Sequence, residues 1–397
     1  MENFRKLGIT KPILKSIIEQ RFENPTEIQE KAIPLILAGN DVIAGSSTGS
    51  GKTLAFAVGI LQNSVKGKGT QALILTPTRE LAEQVASSFR QFSAYKPLEV
   101  VAVYGGIGIS PQIKALKTAD VVVGTPGRLL DHLARKTLKL GDIETLVLDE
   151  ADRMFDMGFK NDVEKIIKQC PKDRQTLLFS ATISSDIVKL SRNSMNKPVQ
   201  VSVDPYVDAG NLDQAYYQVR DDMKLSLLVH LLQHEKSDLV MVFCNTKRNT
   251  DRVAKNLRAS NIDAQAIHGG LTQGKRISVM KQFHTGKSCV LVCTDVAARG
   301  LDIEGISHVY NYDIPRESNQ YIHRIGRTAR AGAKGKAISI LCESDKDNFS
   351  SILKHNNVEI RKVKVPAFEK VVVRKPYKNM NNAISRTSQQ PNRRRNR

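Results

Sequence analysis

A run rich in glycine and hydroxyl residues, Ser47-Thr48-Gly49-Ser50-Gly51-Lys52-Thr53, ends in a combination suited to gripping a triphosphate. Glycines let backbone amides turn toward phosphate oxygens, Lys52 supplies charge for the β and γ oxygens, and the Thr53 hydroxyl can ligate Mg²⁺. The run departs from the pattern G-x-x-x-x-G-K-[ST] at its first position, where Ser46 stands. A serine there calls for ordinary backbone angles, so the loop opens differently while its Gly-Lys-Thr end is kept. A second candidate is Asp149-Glu150-Ala151-Asp152, directly after the apolar Leu146-Val147-Leu148. Carboxylates at the C-terminal end of a buried strand sit where open α/β sheets collect ligands. Asp149 suits Mg²⁺, partly through water, and Glu150 suits the orientation and deprotonation of an attacking water. A Lys-bearing phosphate loop and an acidic strand end together make a recognisable nucleotide triphosphatase. Far downstream, His323-Arg324-Ile325-Gly326-Arg327-Thr328-Ala329-Arg330 crowds three arginines, too many for a buried face unless anions await them.

Positioning these groups needs strands whose ends converge. Ala72-Leu73-Ile74-Leu75, Val121-Val122-Val123, Leu146-Val147-Leu148 and Leu177-Leu178-Phe179 are short, apolar and rich in β-branched residues, with helix-length segments between them. They read as buried parallel strands. A second series follows in Leu239–Phe243, Val290–Val292, His308–Tyr310 and Ala337–Leu341. The expected fold is therefore α/β, with two tandem doubly wound parallel-sheet domains. Turn residues at Asp204-Pro205 and Asp208-Ala209-Gly210-Asn211 place the linker at 205–211, between an N-terminal domain at 1–204 and a C-terminal one at 212–365. From 366 to 397 the composition turns to Lys, Arg, Asn, Ser and Gln, ending in Arg393, Arg394, Arg395 and Arg397. That stretch reads as a flexible basic arm.

At 397 residues the chain has room for two domains and a tail, and its formal charge of +20 favours a polyanionic partner. Composition alone does not separate nucleic acid from an acidic membrane. The N-terminus lacks the apolar core of a signal peptide, and no apolar run approaches the roughly 20 residues that span a bilayer. A soluble cytoplasmic protein is expected. The five cysteines, Cys170, Cys244, Cys289, Cys293 and Cys342, show no paired zinc-ligand spacing. They read as reduced structural thiols, with Cys289 and Cys293 flanking a Val-Leu-Val strand as core residues.

Asp149-Glu150-Ala151-Asp152 spells the DEAD signature, and the chain resembles the DEAD-box ATP-dependent RNA helicases, closest in look to the short bacterial RhlE-like group. Phe22-Glu23-Asn24-Pro25-Thr26-Glu27-Ile28-Gln29 is similar to the family's Q motif, with Phe4 as the isolated upstream aromatic; Arg21 stands where the family usually has Gly. The resemblance implies two tandem RecA-like domains and ATP with Mg²⁺ as cofactors. It implies that Gln29 bonds the adenine edge while Phe22 stacks on the ring, and that Thr48, Gly49, Ser50, Gly51, Lys52 and Thr53 hold the phosphates. Ser180-Ala181-Thr182 resembles the SAT motif, which implies that Ser180 and Thr182 couple the nucleotide site to domain closure. By the same resemblance Arg327 and Arg330 reach the γ-phosphate as arginine fingers, and His323 bonds across the domains. Thr294-Asp295-Val296-Ala297-Ala298-Arg299-Gly300-Leu301-Asp302 resembles motif V, which implies that Gly300 and Asp302 approach the nucleotide.

The RNA surface implied by the resemblance comprises Pro77, Thr78, Arg79, Gly105, Gly106, Thr125, Pro126, Gly127 and Arg128 in the first domain. In the second it comprises Thr246, Gly269, Arg276 and Thr294. Strand-end loops with small residues, exposed amides and an arginine suit contact with sugar and phosphate rather than base edges. The implied partner is single-stranded RNA or short duplexes without sequence preference, engaged by a monomer. Two other readings stay open on residues alone. A non-hydrolysing RNA clamp would lack a base or finger, whereas Glu150, Arg327 and Arg330 are present; a DNA translocase would share the same core.

Overall fold

The computed structural model describes residues 2–45, 50–202, 211–298, 303, 305–329, 333–356 and 360–371. Thr48, Gly49, Gly300, Asp302, Arg330, nearly all of the expected linker and the basic tail from 372 lie outside the described residues.

Among the described residues, fourteen strands form two sheets of seven. In the first lobe they are β1 (Val42–Gly45), β2 (Ala72–Leu75), β3 (Val100–Val103), β4 (Val121–Gly124), β5 (Thr145–Leu148), β6 (Gln175–Ser180) and β7 (Val199–Ser202). In the second they are β8 (Leu212–Gln218), β9 (Leu239–Phe243), β10 (Ala264–Ile267), β11 (Val290–Cys293), β12 (Ile306–Asn311), β13 (Gly335–Leu341) and β14 (Arg361–Lys362). The orders are β3-β4-β2-β5-β6-β1-β7 and β10-β11-β9-β12-β13-β8-β14, so both lobes follow one winding rule. Every pairing is parallel. Parallel neighbours need crossovers, and helices on both faces supply them.

Strand side chains alternate between two cores. Val42 and Ala44 pack on one face of the first sheet with Ala72 and Ile74, while Ile43, Leu73 and Leu75 pack on the other. Each large aliphatic side chain buried this way contributes about 1.5–3 kcal/mol. Because both faces are covered, the strands read as unbroken apolar runs. The sheet has a direct consequence for chemistry. Gly45 at the end of β1 lies beside Ser180 of β6, and Leu148 of β5 lies beside Leu178 of β6. The loops leaving β1, β5 and β6 therefore emerge side by side.

Two sequence expectations change. Cys289 is exposed and precedes β11, so it is not a core residue of that strand, whereas Cys293 is buried within it. Cys289 sits at the N-terminal entry of the strand, where the chain arrives from a surface turn. The packed chain also runs past 365: Phe368 and Val371 lie against the second lobe's core, and Val371 N donates to Ser226 Oγ at 3.0 Å. The alternation Val363, Val365 is what carries the segment onto the sheet.

Candidate functional site

The helix Lys52–Asn63 begins at Gly51, which caps it with φ 88°. Side chains of the segment around Gln29 hold the end of this loop. Gln29 is fully buried; its Oε1 accepts from Thr26 N at 3.0 Å, and its Nε2 donates to Gly51 O at 2.9 Å. Thr26 Oγ1 donates to Ser50 O at 2.8 Å. A Cβ on Gly51 would meet Gln29 Nε2 at 2.4 Å, so both the left-handed backbone and the close approach demand glycine. This tie between Gln29 and the phosphate loop is a relationship the sequence reading missed. Phe22, half-buried, packs at a tilt on Phe92 with ring centroids 6.2 Å apart.

Lys52 Nζ lies 3.7 Å from Asp149 Oδ1, and both side chains are buried. Neither atom makes a hydrogen bond within the protein. Burial pushes the Asp149 carboxyl up to about 6, with the Lys52 charge partly opposing the shift. A buried cation and carboxylate held beyond hydrogen-bond distance is costly unless further charge joins them. A phosphate chain carrying a divalent cation would satisfy both, so the donors fit a Mg²⁺ triphosphate, with half-buried Thr53 alongside in the same helix. Among the described residues, no group of three or more His, Cys, Asp or Glu side chains is placed to hold a metal by itself.

Glu150 ends β5's loop in the left-handed region, φ 52° and ψ 51°, at the N-cap of the helix Ala151–Asp156. Its Oε2 accepts from Arg153 Nη1 at 3.1 Å, with both side chains almost fully buried. Asp152 binds the neighbouring loop: its Oδ2 accepts from Thr182 N and Thr182 Oγ1, each at 3.0 Å. Asp152 N donates to Ser180 Oγ at 3.3 Å, and Ser180 Oγ donates to Thr182 O at 2.7 Å. The hydroxyls expected to couple the site to closure are thus bonded to the DEAD segment itself.

From the second lobe comes the helix Ser318–Ile325. Arg324 is buried and fully used: Nε and Nη2 donate to the two Asp295 oxygens at 2.6 and 2.7 Å, Nη2 to Asn245 Oδ1 at 2.8 Å, and Nη1 to Asp313 O at 2.6 Å. The anion that Arg324 meets, Asp295, belongs to its own lobe. Arg327, also buried, lines a cavity of about 10 Å³ together with Arg153, Asp295, His323 and Arg324. The cavity joins the lobes: Arg153 belongs to the first and the others to the second.

The expected RNA residues meet along a larger cleft of about 490 Å³ between the lobes. Pro77, Thr78, Arg79, Gly105, Thr125, Gly127, Arg128, Gly269 and Arg276 line it; Gly106, Pro126, Thr246 and Thr294 do not. Gly106, with φ 85°, lies under Arg79: a Cβ there would fall 1.9 Å from Arg79 Nη1. Thr78 and Thr246 cap their helices, accepting from Leu81 N and Asn249 N. Arg128 Nη2 donates to Ile107 O at 3.1 Å, while its Nη1 is buried without a hydrogen-bond partner. Glu80, not singled out in the sequence, also lines the cleft and bonds Gln273 and Arg276 of the opposite lobe.

Residues 26–190 match the DEAD/DEAH box helicase family, and residues 223–332 match the helicase conserved C-terminal domain. The chain belongs to the DEAD-box helicase family. It is 47% identical to the ATP-dependent RNA helicase CshA of Listeria monocytogenes, over 86% of this chain and 66% of that protein. It is 42% identical to the CshA helicase of Geobacillus kaustophilus, over 94% of this chain and 80% of that one. The chain thus spans just under two thirds of the Listeria protein. Among solved structures it is similar to S. cerevisiae Dbp5 bound to RNA and ADP BeF3, with TM-score 0.84 and 32% identity over 91% of this chain and 96% of that one. The matching sheets and helices make both lobes of this DEAD-box helicase RecA-like, and no helix among the described residues is long and apolar enough to cross a membrane.

Proposed function

We propose that the chain is an RNA-dependent ATPase that couples ATP binding and hydrolysis to local unwinding of RNA duplexes and remodelling of RNA–protein contacts. The observation that carries the reading is the shared interlobe cavity: Arg153, which holds Glu150, and Arg327 line the same small space from opposite lobes. In this reading Lys52 binds the β and γ phosphates, and Gln29, Phe22, Thr48, Gly49, Ser50 and Gly51 hold the remainder of the nucleotide with Gly300 and Asp302. Thr53 and Asp149 hold Mg²⁺, which when bound would neutralise phosphate charge. Glu150 orients the attacking water and accepts its proton, and Arg327 with Arg330 stabilises charge that develops on the γ-phosphate.

Because the base and the fingers belong to different lobes, hydrolysis requires closure. RNA in the cleft favours the closed state through contacts to backbone and 2′-hydroxyls, which discriminate against DNA without reading sequence. The similarity to the RNA helicase CshA and to RNA-bound Dbp5 supports RNA as the nucleic acid, and the bacterial relatives support a cytoplasmic location. The test is ATP turnover with and without single-stranded RNA, and with DNA of equal length. RNA should stimulate turnover and DNA should not; equal rates in all three would overturn the reading.

A further inference from the structure

Arg153 follows the DEAD tetrapeptide and is given no chemical role in the scheme above, yet its surroundings are unusual. Its Nη1 donates to Glu150 Oε2 at 3.1 Å, and its side chain is 2% exposed. Its backbone is set as well, since Arg153 N donates to Asp152 Oδ1 at 3.0 Å. We propose that Arg153 is a positioning residue that aims the Glu150 carboxylate at the attacking water, and does so only when the lobes are closed. The inference rests on Glu150 being the base.

Three observations carry it. Glu150 leaves β5 with φ 52°, a conformation that throws its side chain into a direction the strand would not give, so a partner is needed to define where the carboxylate points. The guanidinium is a rigid planar fork, which fixes a carboxylate more narrowly than a point charge does. It shares the lining of a cavity with room for about one water with Phe243, Asp295, His323 and Arg327 of the second lobe. Separation of the lobes would hydrate that face of Arg153 and weaken its hold on Glu150, because the same pair interacts far more weakly in water. Of the cations on this lining, Arg324 is neutralised by the bidentate Asp295, and Arg153 is itself paired with Glu150. Closure would therefore do two things at once: bring Arg327 to the site and lock the base.

The test uses the full chain with Arg153→Ala, Arg153→Gln, which keeps most of the packing, Arg153→Lys and Glu150→Gln. ATP turnover is measured with saturating single-stranded RNA, and binding of a labelled RNA oligonucleotide is measured with AMP-PNP. A misaimed base should lower kcat by roughly 10- to 100-fold for Ala and Gln. The KM for ATP and the AMP-PNP-dependent RNA affinity should stay within about threefold of wild type, which separates chemistry from binding. Lys should recover part of kcat through a single donor. An unchanged kcat would overturn the proposal, and so would a fall matched by an equal loss of RNA affinity with AMP-PNP, which would make Arg153 only a strut between lobes. If Glu150→Gln turns over like wild type, the assignment of the base fails and this inference with it. If Glu150→Gln is inactive while Arg153→Ala is normal, only the role of Arg153 is lost.

Discussion

Arg276 Nη2 of the second lobe lies 3.2 Å from Glu80 Oε1 of the first, with Gln273 Nε2 donating to the same oxygen at 3.0 Å. Both charged side chains are mostly buried, at 14% and 11% exposure, so the pair is screened far less than a surface bridge. Arg276, expected from the sequence to face RNA, also spans the lobes beside the RNA cleft. Glu80→Ala or Arg276→Ala should destabilise the closed state by about 1–2 kcal/mol, in the range for contacting groups. RNA affinity with AMP-PNP should then fall roughly 5- to 30-fold, and affinity without nucleotide should hold. Fluorescence anisotropy reads both. Equal losses in the two conditions would assign Arg276 to RNA alone; the exchanged pair Glu80→Arg with Arg276→Glu should regain part of the loss.

Lys52 and Glu150 should fail in different ways. Lys52→Ala removes a buried charge from the phosphate site, and binding of a fluorescent ADP analogue should weaken by about 10- to 100-fold, as expected for a charged hydrogen bond. Glu150→Gln keeps the shape and loses the proton acceptor, so kcat should drop by about 10²- to 10⁴-fold with nucleotide affinity retained. Similar defects in binding for both variants would contradict this division of labour.

Gly51 and Gly106 separate the two ligand sites. Gly51→Ala would drive a methyl into Gln29 Nε2 and strain a left-handed backbone, so the KM for ATP should rise while nucleotide-free RNA binding is preserved. Gly106→Ala would instead push on Arg79, and RNA affinity should fall with the KM for ATP unchanged. Each strained backbone costs about 1–2 kcal/mol, enough for roughly a tenfold effect. Crossed phenotypes would refute the assignment.

Asp345 sets a pH dependence on the second lobe. Burial raises its carboxyl's proton affinity, but the Cys342 amide and thiol and the Lys224 ammonium outweigh it and hold Asp345 below its ordinary 3.8. Lys224 Nζ is 2.9 Å away and nearly inaccessible. A depressed acid stabilises the fold at pH above its unfolded value, and that stabilisation is lost as pH falls through the lower folded value. Asp345→Asn should therefore lower the melting temperature at pH 7, by an amount matching about 1–3 kcal/mol for an orphaned buried donor. The difference should shrink steadily below about pH 4, where wild type loses the same interaction. A gap that stays constant down to pH 2.5 would show that the carboxylate's charge is not the cause.

What the sequence of this protein determines by itself is what local physics determines. Apolar β-branched runs separated by helix-length segments dictate parallel strands with both faces covered, and so the α/β class and the two lobes were legible before any coordinates. The placement of Lys52 at a helix start and of Asp149 and Glu150 at a strand end was legible too, because a glycine-rich loop and an acidic strand end are sequence-local devices. The pairing of Gly45 with Ser180 and of Leu148 with Leu178 was not, and it is this register that makes the chain leave β1, β5 and β6 side by side. Nor could spacing tell Arg324, whose anion lies in its own lobe, from Arg327, which lines the shared cavity. Glu80 looked like any first-turn acid of a helix until the second lobe brought Arg276 and Gln273 to it. Those relationships connect groups far apart along the chain, and their energies depend on the low dielectric and close approach that exist only once the two lobes have folded and met.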